Sequence, residues 1–130
     1  MDTNAINECT RLSFADTPFP EVARRLALAG VHAYHADLIQ LHKTYYDDGS
    51  SSYDSALPLR DAPQIATEFQ QDDVITALRA IQHREIGYAE FLRRIMRAGC
   101  ASYSVFLGGR KAIYFGRDGQ FFIENFPQPA

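Results

Sequence analysis

Cysteine is scarce in this chain. Only Cys9 and Cys100 occur, far apart and in no Cys-x-x-Cys spacing. That excludes a disulfide framework or a zinc knuckle as the organising principle, and both thiols are expected free in a reducing compartment. Basic charge is also short. Thirteen basic against sixteen acidic residues give a net charge of -3, whereas nucleic-acid binders draw affinity from a basic excess. No nucleic-acid partner is therefore expected. No run approaches the ~18 apolar residues of a membrane span, so no membrane partner is expected. The opening Met1-Asp2-Thr3-Asn4 lacks the basic and apolar regions of an export signal, and the expected location is the cytoplasm. Catalytic signatures are missing too. There is no Gly-x-Ser-x-Gly elbow and no His-Glu-x-x-His, and Gly108-Gly109 is not followed by the helix of a phosphate loop. No cofactor is expected.

What is present is an ordinary globular balance. The 130 residues are 46% hydrophobic and 22% charged, which fits one domain over 1–130 and no disordered tract. An internal repeat organises it. Sliding the sequence by 69 positions lays Phe19–Pro58 over Tyr88–Pro127 with nine identities, including Glu21, Arg24, Arg25, Ala29, Gly30, Tyr34 and Tyr45 with their counterparts. The repeat units are taken as 1–60 and 70–130. Apolar spacing predicts helices ending at Gly30 and Gly99, glycines suited to a left-handed helix stop. Glu21→Arg25 and Glu90→Arg94 have the spacing of surface ion pairs. Beyond each glycine the period changes to two, and three strands follow. Gly108-Gly109 predicts a hairpin; the first copy has Gln40-Leu41 there. Gln64–Phe69 is read as a short helical turn in the connector. Each half of ~60 residues has too small a core to stand alone. The expected fold is α+β: a single domain built from a tandem helix-helix-strand-strand-strand duplication, helices packed on an antiparallel sheet, with a homodimer covering the edge strands.

The richest polar segment is His32–Asp48, with three histidines, three tyrosines and three aspartates. The second copy keeps tyrosines but replaces the other groups. Repeat-matched Tyr34, Tyr45, Tyr103 and Tyr114 offer apolar faces with polar tips, suited to a pocket. His35 and Asp37 share a strand face, and His42 joins them across a hairpin. These seven residues form the candidate ligand site of a non-enzymatic binding or regulatory module. The alternatives are a hydrolase-like enzyme using the His/Asp/Tyr cluster and an interaction module. The histidines and Asp37 are read as hydrogen-bonding groups, with no metal expected. The basic stretch Arg79, Arg84, Arg93, Arg94 and Arg97, broken by Glu85 and Glu90, reads as a solvated helix face.

Ala29-Gly30-Val31-x-x-Tyr34, His42-x-x-Tyr45-Tyr46, the Gly49 turn, Tyr88-x-x-Phe91, Ala98-Gly99 and Tyr114-Phe115 together resemble a small bacterial family. It is domain-of-unknown-function family 1398, whose members are often labelled phage envelope protein. The resemblance runs from about Phe14 to Pro127. It implies a single-domain cytoplasmic protein and assigns no catalytic residue. The phage label suggests the third alternative, a phage-associated interaction module.

Overall fold

Two glycines mark the rhythm of the chain. Helix α2 (Phe19–Leu28) ends at Gly30 and helix α4 (Tyr88–Arg97) ends at Gly99, with φ of 89° and 88°. After α2, Val31 N–H bonds the Leu26 carbonyl and Gly30 N–H that of Ala27, the paired closure that a left-handed glycine permits. A preceding helix leads into each: α1 (Thr3–Phe14) and α3 (Gln71–Gln82). Three strands follow each glycine. They are β1 (Ala33–Asp37), β2 (His42–Tyr46) and β3 (Ser52–Ala56), then β4 (Cys100–Phe106), β5 (Lys111–Gly116) and β6 (Phe121–Asn125). The structure, a computed structural model, describes residues 1–127; the last three positions of the expected second repeat lie outside the described residues.

The strands form one antiparallel sheet in the order β3-β2-β1-β4-β5-β6. The two meanders meet at β1 and β4, so the helix-helix-strand-strand-strand pattern occurs twice around a local twofold axis. The register locates that axis. His35 faces Ser104, its own counterpart at 69 residues, while Tyr34 pairs with Val105 and Ala36 with Tyr103. His35 Nδ1 and Ser104 Oγ are 2.7 Å apart at this point.

Strand pleating sorts the side chains. The helix-facing side carries an aromatic band from Tyr53 through Tyr45, Tyr34, Tyr103 and Tyr114 to Phe122, one per strand and three repeat-related pairs in all. Helix residues Ile6, Val22, Leu26, Val74, Phe91, Leu92 and Ile95 close over it and complete the buried core. The other side of the sheet is open.

The hairpins correct one expectation. In the β4–β5 turn the left-handed residue is Arg110 (φ 59°), not either glycine, and its counterpart Leu41 (φ 54°) does the same in the β1–β2 turn. The two turns share geometry without sharing glycines. Gly108 is small for another reason: a Cβ there would stand 2.6 Å from the His32 ring. The connector corrects another. Gln64–Phe69 forms no helical turn. It runs extended past the end of α4, with Ala66 N–H on the Met96 carbonyl and Gln70 N–H on that of Ala98. The Ala98 carbonyl lies past the helix end, and that of Met96 also accepts from Gly99 N–H.

Candidate functional site

The pleat divides the seven candidate residues between two faces. Tyr34, Tyr45, Tyr103 and Tyr114 lie on the helix side and are buried. Neighbouring rings sit 5.4 Å apart for Tyr34–Tyr45 and for Tyr103–Tyr114, and 6.4 Å for Tyr34–Tyr103. His35, Asp37 and His42 lie on the open side, where Asp37 and His42 are register partners across the β1–β2 hairpin, but each side chain bonds elsewhere. His35 meets Ser104; Asp37 accepts from Ile39 and Gln40 N–H in the hairpin turn; His42 Nε2 lies 3.3 Å from Asp54, which also accepts from Thr44. No hydrogen bond joins His35, Asp37 and His42 to one another. Among the described residues, no three His, Cys, Asp or Glu side chains gather as metal ligands do.

Lys43 on β2 is the buried polar residue that the sequence reading passed over. Its side chain points into the tyrosine band and is 4% exposed. Nζ sits 5.0 Å from the Tyr34 ring centroid and 5.1 Å from that of Tyr88, within cation–π range of both. It makes no hydrogen bond or ion pair to another described residue. Burial pushes its ammonium down to about 8, because a low-dielectric interior disfavours the charged form. Burial pushes the tyrosines the other way. Tyr45 is raised to about 12, and Tyr34, Tyr88, Tyr103 and Tyr114 are also raised, so all five stay neutral phenols. The Tyr88 and Tyr103 hydroxyls bond each other, and Tyr45 bonds Thr10 of α1 at 3.4 Å. Alternation held the signal for Lys43: it shares parity with Tyr45, so a strand that buries Tyr45 buries Lys43 as well. Its counterpart in the other half is Ala112, also buried.

Above this cluster lies a groove of about 610 Å³ between α1, α4 and the connector. Phe14 and Ala15 of α1, Ala89 of α4 and Pro58 of the connector supply apolar wall; Arg11, Arg60 and Arg93 bring guanidinium groups. Arg93 donates to the Arg60 carbonyl at 3.0 and 3.1 Å, which ties α4 to the connector. Arg11 pairs with Glu8. Thr10 and Phe14 link groove to core: Thr10 bonds Tyr45, and the Phe14 ring meets Tyr88 edge-on at 5.0 Å. The basic stretch thus divides. Arg93, Arg94 and Arg97 all pair with Glu90, Arg79 reaches Glu124 on β6, and Arg93 also lines the groove.

The class that emerges is a single α+β domain with helices on one face of a six-stranded antiparallel sheet and an arginine-bearing groove over a tyrosine core. No helix among the described residues is long and apolar enough to cross a membrane. No family model matches the chain. It is similar to uncharacterized proteins of Mycobacterium tuberculosis and Mycobacterium bovis, 32% identical to each over 108 residues. The match covers 83% of this chain and 66% of each relative, so the chain spans about two thirds of the length of the curated relatives it matches.

Proposed function

We propose that this domain binds a small anionic molecule with an apolar body, in the groove between α1 and α4, as a binding or regulatory module. The observation that carries the reading is the groove itself: about 610 Å³, apolar in much of its wall, with Arg11, Arg60 and Arg93 among its lining residues, Arg11 paired with Glu8 and Arg93 with Glu90. Guanidinium forks suit carboxylate and phosphate oxygens, and an apolar wall suits a carbon skeleton. The sheet gives this floor rigidity, and the tyrosine hydroxyls and Lys43 lie directly beneath it. Repeat-matched tyrosines with polar specialisation in the first half fit an internal duplication in which one copy acquired the site. The resemblance to family 1398 fits a domain of this size, and the free, buried Cys9 and Cys100 fit a reducing compartment such as the cytoplasm.

The test is a thermal-shift screen with small carboxylates and phosphate esters. A ligand at about 100 times its dissociation constant stabilises by ~2.7 kcal/mol, which raises the midpoint by several degrees in a domain this size. Arg60→Gln and Arg93→Gln should remove the response. A folded protein whose midpoint never moves across the panel sinks the reading.

A second reading concerns the open sheet face, where Phe121 and Ile123 are exposed on the edge strand β6. A second copy of this chain packed there would cover both patch and edge. Sedimentation at micromolar concentration should then show a dimer that Phe121→Glu dissociates; a monomer throughout rejects it.

A further inference from the structure

We propose that Lys43 is a reactive amine that condenses with a small aldehyde or 2-oxo acid admitted from the groove between α1 and α4. Three observations support this. First, the amine has no fixed partner. A buried lysine held for structure is paired with a carboxylate or several carbonyls, whereas Nζ here lies over the faces of Tyr34 and Tyr88, with the buried Cys9 thiol as its titratable neighbour. Second, it is near a route in. The Tyr88 ring that Nζ faces at 5.1 Å meets Phe14 edge-on at 5.0 Å, and Phe14 is itself groove wall. Third, the amine is particular to one half: the equivalent position in the other half is Ala112, on the same scaffold.

The chemistry is consistent with the surroundings. Desolvated lysines in apolar sites are the usual carbonyl-capturing amines. With its ammonium near 8, about a tenth of Lys43 is free amine at neutral pH, against well under a thousandth of an ordinary lysine. The Nζ lone pair adds to the carbonyl carbon, giving a carbinolamine. The carbonyl oxygen then leaves as water with the two amine protons, and a carbon–nitrogen double bond forms. No oxidation or reduction occurs. Neutral tyrosine hydroxyls around the site offer proton donors for the departing oxygen.

The choice of a carboxylate-bearing carbonyl rests on the groove reading above; the reactivity of Lys43 does not. The chain has two lysines, Lys43 and the half-buried Lys111, so peptide mapping separates them from each other and from the terminal amine. The full chain is incubated with glyoxylate, or with neutral propanal, plus cyanoborohydride to trap any imine. The expected result is labelling at Lys43 at least about tenfold faster than at Lys111, lost in Lys43→Met. Arg60→Gln should slow glyoxylate and leave propanal unchanged. Equal labelling by both probes with no effect of Arg60→Gln would uphold Lys43 and reject the anion groove. Labelling of Lys43 no faster than of Lys111 with either probe overturns the inference. Mapping the unmutated protein alone decides that point, even if Lys43→Met fails to fold. Unreactive glycolate, read by thermal shift, reports the groove separately.

Discussion

The two halves of this domain share a scaffold and differ in what they bury. Each has two helices, a left-handed glycine and a three-stranded meander, and each gives three aromatics to the band across the sheet. In the first half the position between β2's half-buried His42 and Thr44 holds Lys43, set against two tyrosine rings. In the second half the same position holds Ala112. The open sheet face differs as well. Its first half is polar, with His35, Asp37, His42, Thr44 and Asp54; its second half carries Ile113, Phe115, Phe121 and Ile123. One scaffold position thus buries an amine over two tyrosine rings in the first half and a methyl group in the second.

The glycines give the largest expected difference between the halves. Both have positive φ, so alanine costs about 1 kcal/mol of backbone strain at either. At Gly30 the nearest atom to a new Cβ is Met1 Cα at 3.5 Å, an ordinary contact. At Gly99 the new Cβ would land on the Glu68 carbonyl and against Phe69 Cα. Gly99→Ala should cost about 4 kcal/mol or leave the protein unfolded, and Gly30→Ala about 1 kcal/mol, measured by urea unfolding. Equal losses would mean that the connector yields freely at Gly99.

Next in size is a lysine placed in the other half. Ala112→Lys puts an unpaired amine into a position that is 2% exposed, and should cost about 3 kcal/mol. A loss below 1 kcal/mol would show that the second half tolerates a lysine as well as the first. The smallest effects concern the ties from helix to outer strand. In the first half Tyr53 donates a neutral hydrogen bond to Asn7 at 2.9 Å; in the second, Arg79 forms an ion pair with Glu124 at 2.8 Å. Tyr53→Phe and Arg79→Ala should each cost about 0.5–1 kcal/mol. Molar salt should shrink only the Arg79 loss, since it screens charges and leaves a neutral bond alone.

Period and punctuation made the fold legible. The switch from helical to strand spacing, the stops at Gly30 and Gly99, and the 69-residue offset match the observed elements, and the offset fixes where the halves meet. The connector was not legible, because Gln64–Phe69 is held by hydrogen bonds to distant carbonyls of Met96 and Ala98. Nor were the hairpin turns, whose left-handed positions fall on Leu41 and Arg110 rather than on glycine. The site was legible only in part. His32–Asp48 is dense in polar groups along the chain, but the pleat sends Tyr34 and His35, adjacent in sequence, to opposite faces. Density in sequence became proximity in space only for side chains of one parity. Lys43 shared the parity of Tyr45 but was hidden among those neighbours. Arg11, Arg60 and Arg93 come from three separate segments, which only the folded chain brings together.

The most direct test is the stability of the unmutated protein and Lys43→Met compared from pH 7 to pH 9.5. The folded-state value near 8 lies below the ~10.4 of an unfolded lysine, so the unfolded chain binds more protons between them. Lys43 therefore costs most below pH 8, and its cost fades as pH rises towards 10. The raised tyrosines and Cys100 act in both proteins and cancel in the difference, and Cys9→Ala carried in both removes the one thiol coupled to Lys43. The account predicts that Lys43→Met is more stable by about 2 kcal/mol at pH 7, and that the gap closes steadily by pH 9.5. A methionine variant that is less stable at every pH, with a constant gap, would make Lys43 a structural cation between two rings and contradict the account.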